Sequence, residues 1–185
     1  MSNFKEFINT IVDKWRVEKF AVYEKQGLGL PSNRTMGDWA EKNVVLRIEK
    51  IKPIYEVVLS KGSQTPSDIF SICKRKGFYH LMLNQVKSTT NPGKEFELSD
   101  DDFKKYREFA KWFRKQVSKF EPLKGKPFVI TLGYVLVYNQ ENKNEIVSGV
   151  LRSTVYKNPY FANWEDGDKN KAIELALVAQ SKILK

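Results

Sequence analysis

Pro66-Ser67-Asp68-Ile69-Phe70-Ser71-Ile72, a basic turn at Lys74-Arg75-Lys76-Gly77, and then Phe78-Tyr79-His80-Leu81-Met82-Leu83-Asn84-Gln85-Val86-Lys87-Ser88 form the stretch on which the fold turns. Two short apolar runs, one opened by proline and the pair separated by the basic turn, predict two buried strands joined as a hairpin. Folding about that turn sets Asp68 opposite or diagonal to the segment from Leu83 to Gln85, within reach of cross-strand neighbours. Side chains alternate across a strand, so Gln85 and Lys87 share a face. An acid, an amide and an amine therefore gather at the mouth of an otherwise apolar sheet, where polar groups need a reason.

Upstream, Ile54 to Ser60 predicts the preceding strand, and Pro53 ends a helix. That helix is expected from Met36-Gly37-Asp38 through Ile48, with Asp38 as N-cap and Val44, Val45, Ile48 and Ile51 as its apolar line. Glu41 lies one turn before Val44 and Val45, which aims it along the side that packs on the sheet. Further back, Phe4, Phe7, Ile8, Ile11, Val12, Trp15 and Phe20 recur at mostly helical spacing, predicting an amphipathic helix over 3–25. Between the two helices, Gly27 to Thr35 carries too many breakers for helix and reads as a loop, with Arg34 available to a phosphate.

Downstream, Ser99 followed by Asp100, Asp101 and Asp102 is a helix start, a cap with acids at the positive end of the dipole. Phe103, Tyr106, Ala110, Phe113 and Val117 form one stripe of that helix, widened by Phe109 and Trp112. So broad an aromatic face exceeds what one sheet covers and predicts a second subunit against part of it. The other side, with Lys104, Lys105, Arg107, Lys111, Arg114, Lys115 and Lys119, reads equally as a solvated face or a phosphate-tracking one. Pro127 to Tyr138 is the most hydrophobic strand region, and Glu145 to Arg152 returns beside it through a turn over 139–144. Lys171 to Leu184 closes the chain as a helix, with Ile173, Ala176, Leu177, Gln180, Ile183 and Leu184 on its buried side. The order predicts an α/β fold with a mixed central sheet flanked by helices, in one domain over 1–185. Its core covers 36–138, and the N-terminal helix over 3–25 and the C-terminal hairpin and helix over 139–185 are additions.

With 185 residues, 41% of them hydrophobic and 13% aromatic, the chain can bury a real core and is not a mainly disordered one. Its net charge of +10 points to a polyanionic partner, with a basic protein that has no nucleic-acid role as the plainer reading. A single cysteine, Cys73, excludes an internal disulfide framework and a Cys-rich zinc module, and fits a reducing, cytoplasmic setting. The single histidine, His80, sits inside an apolar strand and reads as a core residue. Without a second histidine, the usual zinc and Ser-His-Asp sites are hard to assemble. No apolar run approaches the roughly 20 residues of a membrane span, and the first residues show no signal-peptide core, so no membrane association is expected.

Glu41 on a helix, a strand, Ser67-Asp68 opening the next strand and Gln85-Val86-Lys87 on its neighbour resemble the PD-(D/E)XK nuclease superfamily. Gly37-Asp38-Trp39-Ala40-Glu41, Gly62-Ser63 before the aspartate and Val86-Lys87-Ser88 look most like the archaeal Holliday junction resolvases, over 36–137. The resemblance implies a restriction-endonuclease-like αβββαβ core and a Mg²⁺-dependent DNA endonuclease, with Mn²⁺ able to substitute. It also implies a homodimer and a preference for branched DNA such as four-way junctions.

Phosphodiester hydrolysis needs a cation to offset phosphate charge and acidify the attacking water, and Mg²⁺ takes oxygen ligands, often only one or two of them carboxylates. By resemblance, Asp68 is a direct ligand, Glu41 a second one directly or through water, and the main-chain carbonyl of Val86 a third oxygen. Lys87 positions or activates the water and offsets transition-state charge. Gln85 stands where most relatives carry an acid, and its amide brings an oxygen without a charge. Ser60, Ser63 or Ser88 would assist, and Lys61, Lys74, Arg75 and Lys76, flanking the site, join Arg34 as candidates to grip phosphates. Two other functions fit: a nuclease of the same superfamily acting on linear duplex or mobile-element ends, and a non-catalytic nucleic-acid-binding relative that kept the fold.

Overall fold

Helix α1 (Phe4–Trp15) forms because Phe4, Ile8, Ile11, Val12 and Trp15 recur on one face, and all five are buried. The computed structural model to which it belongs describes residues 3–20, 34–60, 65–89, 98–142, 145–155, 159–164 and 168–184. The chain leaves α1 through a π-helical segment, Arg16–Phe20. Helix α2 (Arg34–Glu49) begins ahead of the expected cap, so Asp38 lies within the helix and is not its N-cap. Gly37 inside that helix costs about 1 kcal/mol relative to alanine. Burial of Ala40, Val44 and Ile48, each 0% exposed, outweighs it.

Strands β1 (Glu56–Leu59), β2 (Ile69–Arg75) and β3 (Phe78–Thr89) form an antiparallel meander, with Val58 opposite Phe70 and Ile72 opposite Leu81. The basic turn shrinks to Lys76-Gly77, and Lys74 and Arg75 belong to the strand. Gly77 has φ 84°, a left-handed conformation in which a Cβ would be strained. Helix α3 (Asp100–Val117) starts as expected, its Ser99 hydroxyl accepting the Asp102 N–H at 3.1 Å. It returns the chain to β4 (Phe128–Asn142), which runs parallel to β3 along its length.

Strand β5 (Glu145–Val155) folds back on β4, and β6 (Tyr160–Ala162) pairs with the beginning of β4. Both arms of this second hairpin are longer than the apolar pattern alone marked. Helix α4 (Lys169–Ser181) is capped by Asp168, whose Oδ1 accepts the Lys171 N–H at 3.0 Å, and ends in a 3-10 turn, Lys182–Leu184. The result is an α/β fold whose mixed sheet runs β1-β2-β3-β4-β5 and is flanked by helices.

The sheet separates two apolar layers. Helices α1 and α3 cover Val58, Phe70, Ile72, Leu81, Leu83, Phe128, Ile130 and Leu132. Helices α2 and α4 cover Ile69, Cys73, Met82, Val86, Val135 and Val137. The aromatic face of α3 is covered from within, which removes the reason for expecting a second subunit there. Trp15 packs edge-on against Phe109 at 5.0 Å and against Trp112 at 5.2 Å, and Tyr106, Phe109, Ala110, Phe113 and Val117 are 0% exposed. Each large side chain so buried contributes about 1.5–3 kcal/mol. On α4 the buried line is Ala172, Ala176, Ala179 and Gln180, followed by Ile183; Ile173 and Leu177 are half-buried, and Leu184 faces outward. With small alanines on the buried side of α4, helical periodicity leaves Leu175 and Val178 on the outward one. Among the described residues, no helix is long and apolar enough to cross a membrane.

Candidate functional site

Regular pairing of β2 with β3 ends at Ile69 opposite Asn84. One residue earlier, Asp68 still donates its N–H to the Asn84 carbonyl at 2.9 Å, and its own carbonyl accepts the Ser60 N–H at 2.8 Å. There the two strands part. β3 continues through Gln85, Val86 and Lys87 paired only with β4, so the Val86 N–H faces an edge that β2 has left. The Asp68 side chain fills that place: its Oδ2 accepts the Val86 N–H at 2.7 Å, which leaves Oδ1 outside this bond. A strand fork thus pins the carboxylate by one oxygen. Hydroxyls fasten the approach to it, with Ser60 Oγ 3.1 Å from Thr65 Oγ1, Thr65 Oγ1 donating to the Ser67 carbonyl at 2.6 Å, and Ser67 Oγ donating to the Asn84 carbonyl at 3.3 Å. Ser60 therefore belongs to the ladder that shapes the loop, while Ser88 is a half-buried residue further along β3.

Helix α2 brings Glu41 to the same place, because its neighbours Ala40 and Val44 pack in one cluster with Val86. Glu41 is half-buried. Burial first, then the charge of Asp68, then that of Asp38, push its carboxyl up to about 7. Burial raises Asp68 to about 6 against the opposing pull of the Val86 N–H and the Lys87 ammonium. Two carboxyls that feel each other in a partly desolvated site resist ionising together, and a cation would relieve both. Gln85 and Lys87 share the β3 face of Leu81 and Leu83, whereas Val86 turns toward α2. Gln85 is half-buried, and its side chain takes no hydrogen-bond partner among the described residues. Those residues contain no group of three His, Cys, Asp or Glu side chains able to hold a metal, so a cation here would rest on two carboxylates, an amide or peptide oxygen, and water.

Asn84 also ties the fork to a buried polar chain that the sequence reading missed. Arg75 Nη2 donates to the Tyr55 hydroxyl at 2.9 Å, and that hydroxyl lies 2.7 Å from His80 Nδ1. His80 Nε2 lies 2.8 Å from Thr131 Oγ1, which donates to Gln180 Oε1 at 2.7 Å, and Gln180 Nε2 donates to Asn84 Oδ1. One direction of donation satisfies every link if His80 is neutral and protonated on Nε2. Burial, and after it the Arg75 guanidinium, push His80 down to about 3, which fits that state. Gly133 is what admits the last link, since a Cβ there would collide with both Asn84 Oδ1 and Gln180 Nε2. The signal is polar residues set inside apolar runs, His80 and Asn84 in one and Thr131 in another. The pattern marks His80 and Gln180 as buried, whereas Tyr55, Asn84 and Thr131 carry no local sign of a shared network.

The basic residues of the first hairpin do not flank the site. Arg75 lies seven residues of β2 from Asp68, roughly 23 Å at about 3.3 Å per residue. A hairpin's turn is the point farthest from its open end, so Lys74 and Lys76 sit exposed at the opposite end of the two strands and Arg75 is spent on Tyr55. Lys61 and Ser63 lie outside the described residues, as does the side chain of Arg34. Comparison of the chain with protein-family models, with curated proteins and with solved structures finds no match in any of the three.

Proposed function

We propose that the chain is a metal-dependent nuclease that hydrolyses DNA phosphodiester bonds at the Asp68 fork. The observation that carries this reading is the Asp68 carboxylate, pinned through Oδ2 by the Val86 N–H and lying in the field of both Glu41 and Lys87. The order α2, β1, β2, β3, α3, β4 supports a restriction-endonuclease-like core, and the residues at its fork are those that the resemblance to PD-(D/E)XK nucleases selects.

The donor set suits a hard cation. Asp68 Oδ1 and Glu41 supply charged oxygens, and Gln85 or the Val86 carbonyl supplies neutral ones. Bound Mg²⁺ or Mn²⁺ would offset charge on the phosphate and lower the pKa of the attacking water. The chain's own part is positional. The Val86 N–H fixes the Asp68 carboxylate, and the Lys87 ammonium donates to the water or the phosphate oxygen as charge builds there. Gln85 gives this site one negative charge fewer than an acid would, which weakens its hold on a cation. Branched DNA is the preferred substrate by resemblance. Paired nicks across a four-way junction require two copies related by a two-fold axis, joined by a surface other than the aromatic face of α3.

Labelled linear, flap and four-way-junction DNA, incubated with Mg²⁺ and the parent chain, Asp68→Ala or Lys87→Ala, test the proposal. Expected is cleavage by the parent, reduced at least about a hundredfold in each variant with DNA binding retained. A parent that cleaves none of the three, and binds DNA no differently from its variants, would instead be a non-catalytic binding module.

A further inference from the structure

At the far end of α2 from Glu41, the helix closes through Lys50 N–H to the Arg47 carbonyl at 3.2 Å and Ile51 N–H to the Ile48 carbonyl at 3.0 Å. The 3-10 turn after α4 meets it there, Arg47 Nη1 donating to the Ile183 carbonyl at 3.5 Å. Between them opens a cleft of about 610 Å³ whose lining includes Arg47, Lys50, Lys52 and Lys182 and, among the described residues, no acidic one. None of the four takes part in an ion pair among the described residues. Lys50, Lys52 and Lys182 are exposed.

Helix dipoles explain part of this charge. Two helix C-termini converge on the cleft, and each carries a partial charge of roughly −0.5, together about −1. Set against four full positive charges, that leaves about +3 in one concave opening. Cations so crowded repel one another unless an anion with several charges sits between them.

We propose that this cleft is a second nucleic-acid contact, holding the sugar-phosphate backbone of the DNA flanking the cleavage point. The choice of DNA as the polyanion rests on the nuclease reading; the cleft's charge excess does not. Glu41 and Lys50 are nine residues apart on α2, roughly 13 Å at about 1.5 Å per residue, so a duplex seated at the fork has to extend several base pairs to reach it.

The test measures duplex affinity against salt concentration in an Asp68→Ala background, where no cleavage intervenes. Lys50→Ala, Lys52→Ala and Lys182→Ala are combined, and Arg47 is kept because it bonds the Ile183 carbonyl. Each lost phosphate contact removes about 0.9 from the slope of log K against log salt, so the triple variant should lose roughly 2 to 3. Removing equal charge from α3, by Lys104→Ala, Lys111→Ala and Lys115→Ala, should change the slope by less than about 1. A cleft variant with the parent slope, or an α3 variant with an equal loss, overturns the proposal. The melting temperature of the cleft variant should equal or exceed the parent's, because repulsion is relieved; a marked fall would make the cations dipole caps and also overturn it. A parent that cleaves nothing while the cleft slope still falls would sink the nuclease reading alone.

Discussion

Two polar regions meet on neighbouring residues of β3 and are built on opposite terms. In the interior, Tyr55, His80, Thr131, Gln180 and Asn84 hand one direction of hydrogen bonds across the sheet, neutral throughout. At the fork, Glu41 and Asp68 are raised to about 7 and about 6, with one oxygen of Asp68 bonded to the main chain and Gln85 unpartnered among the described residues. The interior groups are chained to one another without a carboxylate among them, although Asn84 Nδ2 and Arg75 Nε stay buried without a partner among the described residues. Those at the fork are ionisable carboxyls raised by burial and by each other, at a cost in stability that a bound cation would offset.

The contrast can be broken by substitution, and the largest effect belongs to the fork. Asp68→Asn should reduce cleavage at least about a hundredfold while leaving the melting temperature equal or higher, since repulsion with Glu41 disappears. A loss of stability would make Asp68 a structural residue. Gln180→Leu should do the reverse, costing about 2–3 kcal/mol in denaturant unfolding by stranding Asn84 Oδ1 and Thr131, with cation affinity intact. Equal stability in that variant would mean the chain of bonds is ornamental.

Smaller effects sharpen the same comparison through pH. Glu41 and Asp68 titrate in the fold above their ordinary values of 4.5 and 3.8, so the folded chain keeps protons that the unfolded chain has released. Through these two groups, stability of the cation-free protein should therefore fall as pH rises from about 4 toward 7 and level off above. His80 works in the other direction: its folded value lies below the ordinary 6.5, so it costs stability as pH drops from there toward 3. Melting curves of the parent and Glu41→Gln between pH 5 and 8 separate the two, with a shallower decline expected in the variant. Identical slopes would place Glu41 in water, away from Asp68. Smallest of all, Gln85→Glu should bind Mn²⁺ several-fold more tightly; equal or weaker affinity would remove Gln85 from the coordination shell.

What could be read from the sequence was local. The hairpin follows from two apolar runs and one turn, and once it is folded, the nearness of Asp68 to Val86 is a matter of register. Ser99 and its three following acids declared the start of α3 just as plainly. Distant packing was not legible. The aromatic stripe of α3 carries no hint that Trp15, from the first helix, covers it, so the pattern alone points to a second subunit there. Lys74 to Lys76 looked near the site because they are near Asp68 in sequence, whereas the length of β2 carries them away. The bond between Gln180 and Asn84 joins residues 96 apart, beyond any local pattern, and only the missing side chain at Gly133 makes room for it.

Cation binding at the fork is measured most directly by calorimetric titration of Mn²⁺ into the parent, Asp68→Asn and Lys87→Ala. A saturable isotherm in the parent, lost in Asp68→Asn and kept in Lys87→Ala, is the predicted result. Superimposable isotherms for parent and Asp68→Asn would contradict it and leave the fork a buried acid without a cation to hold.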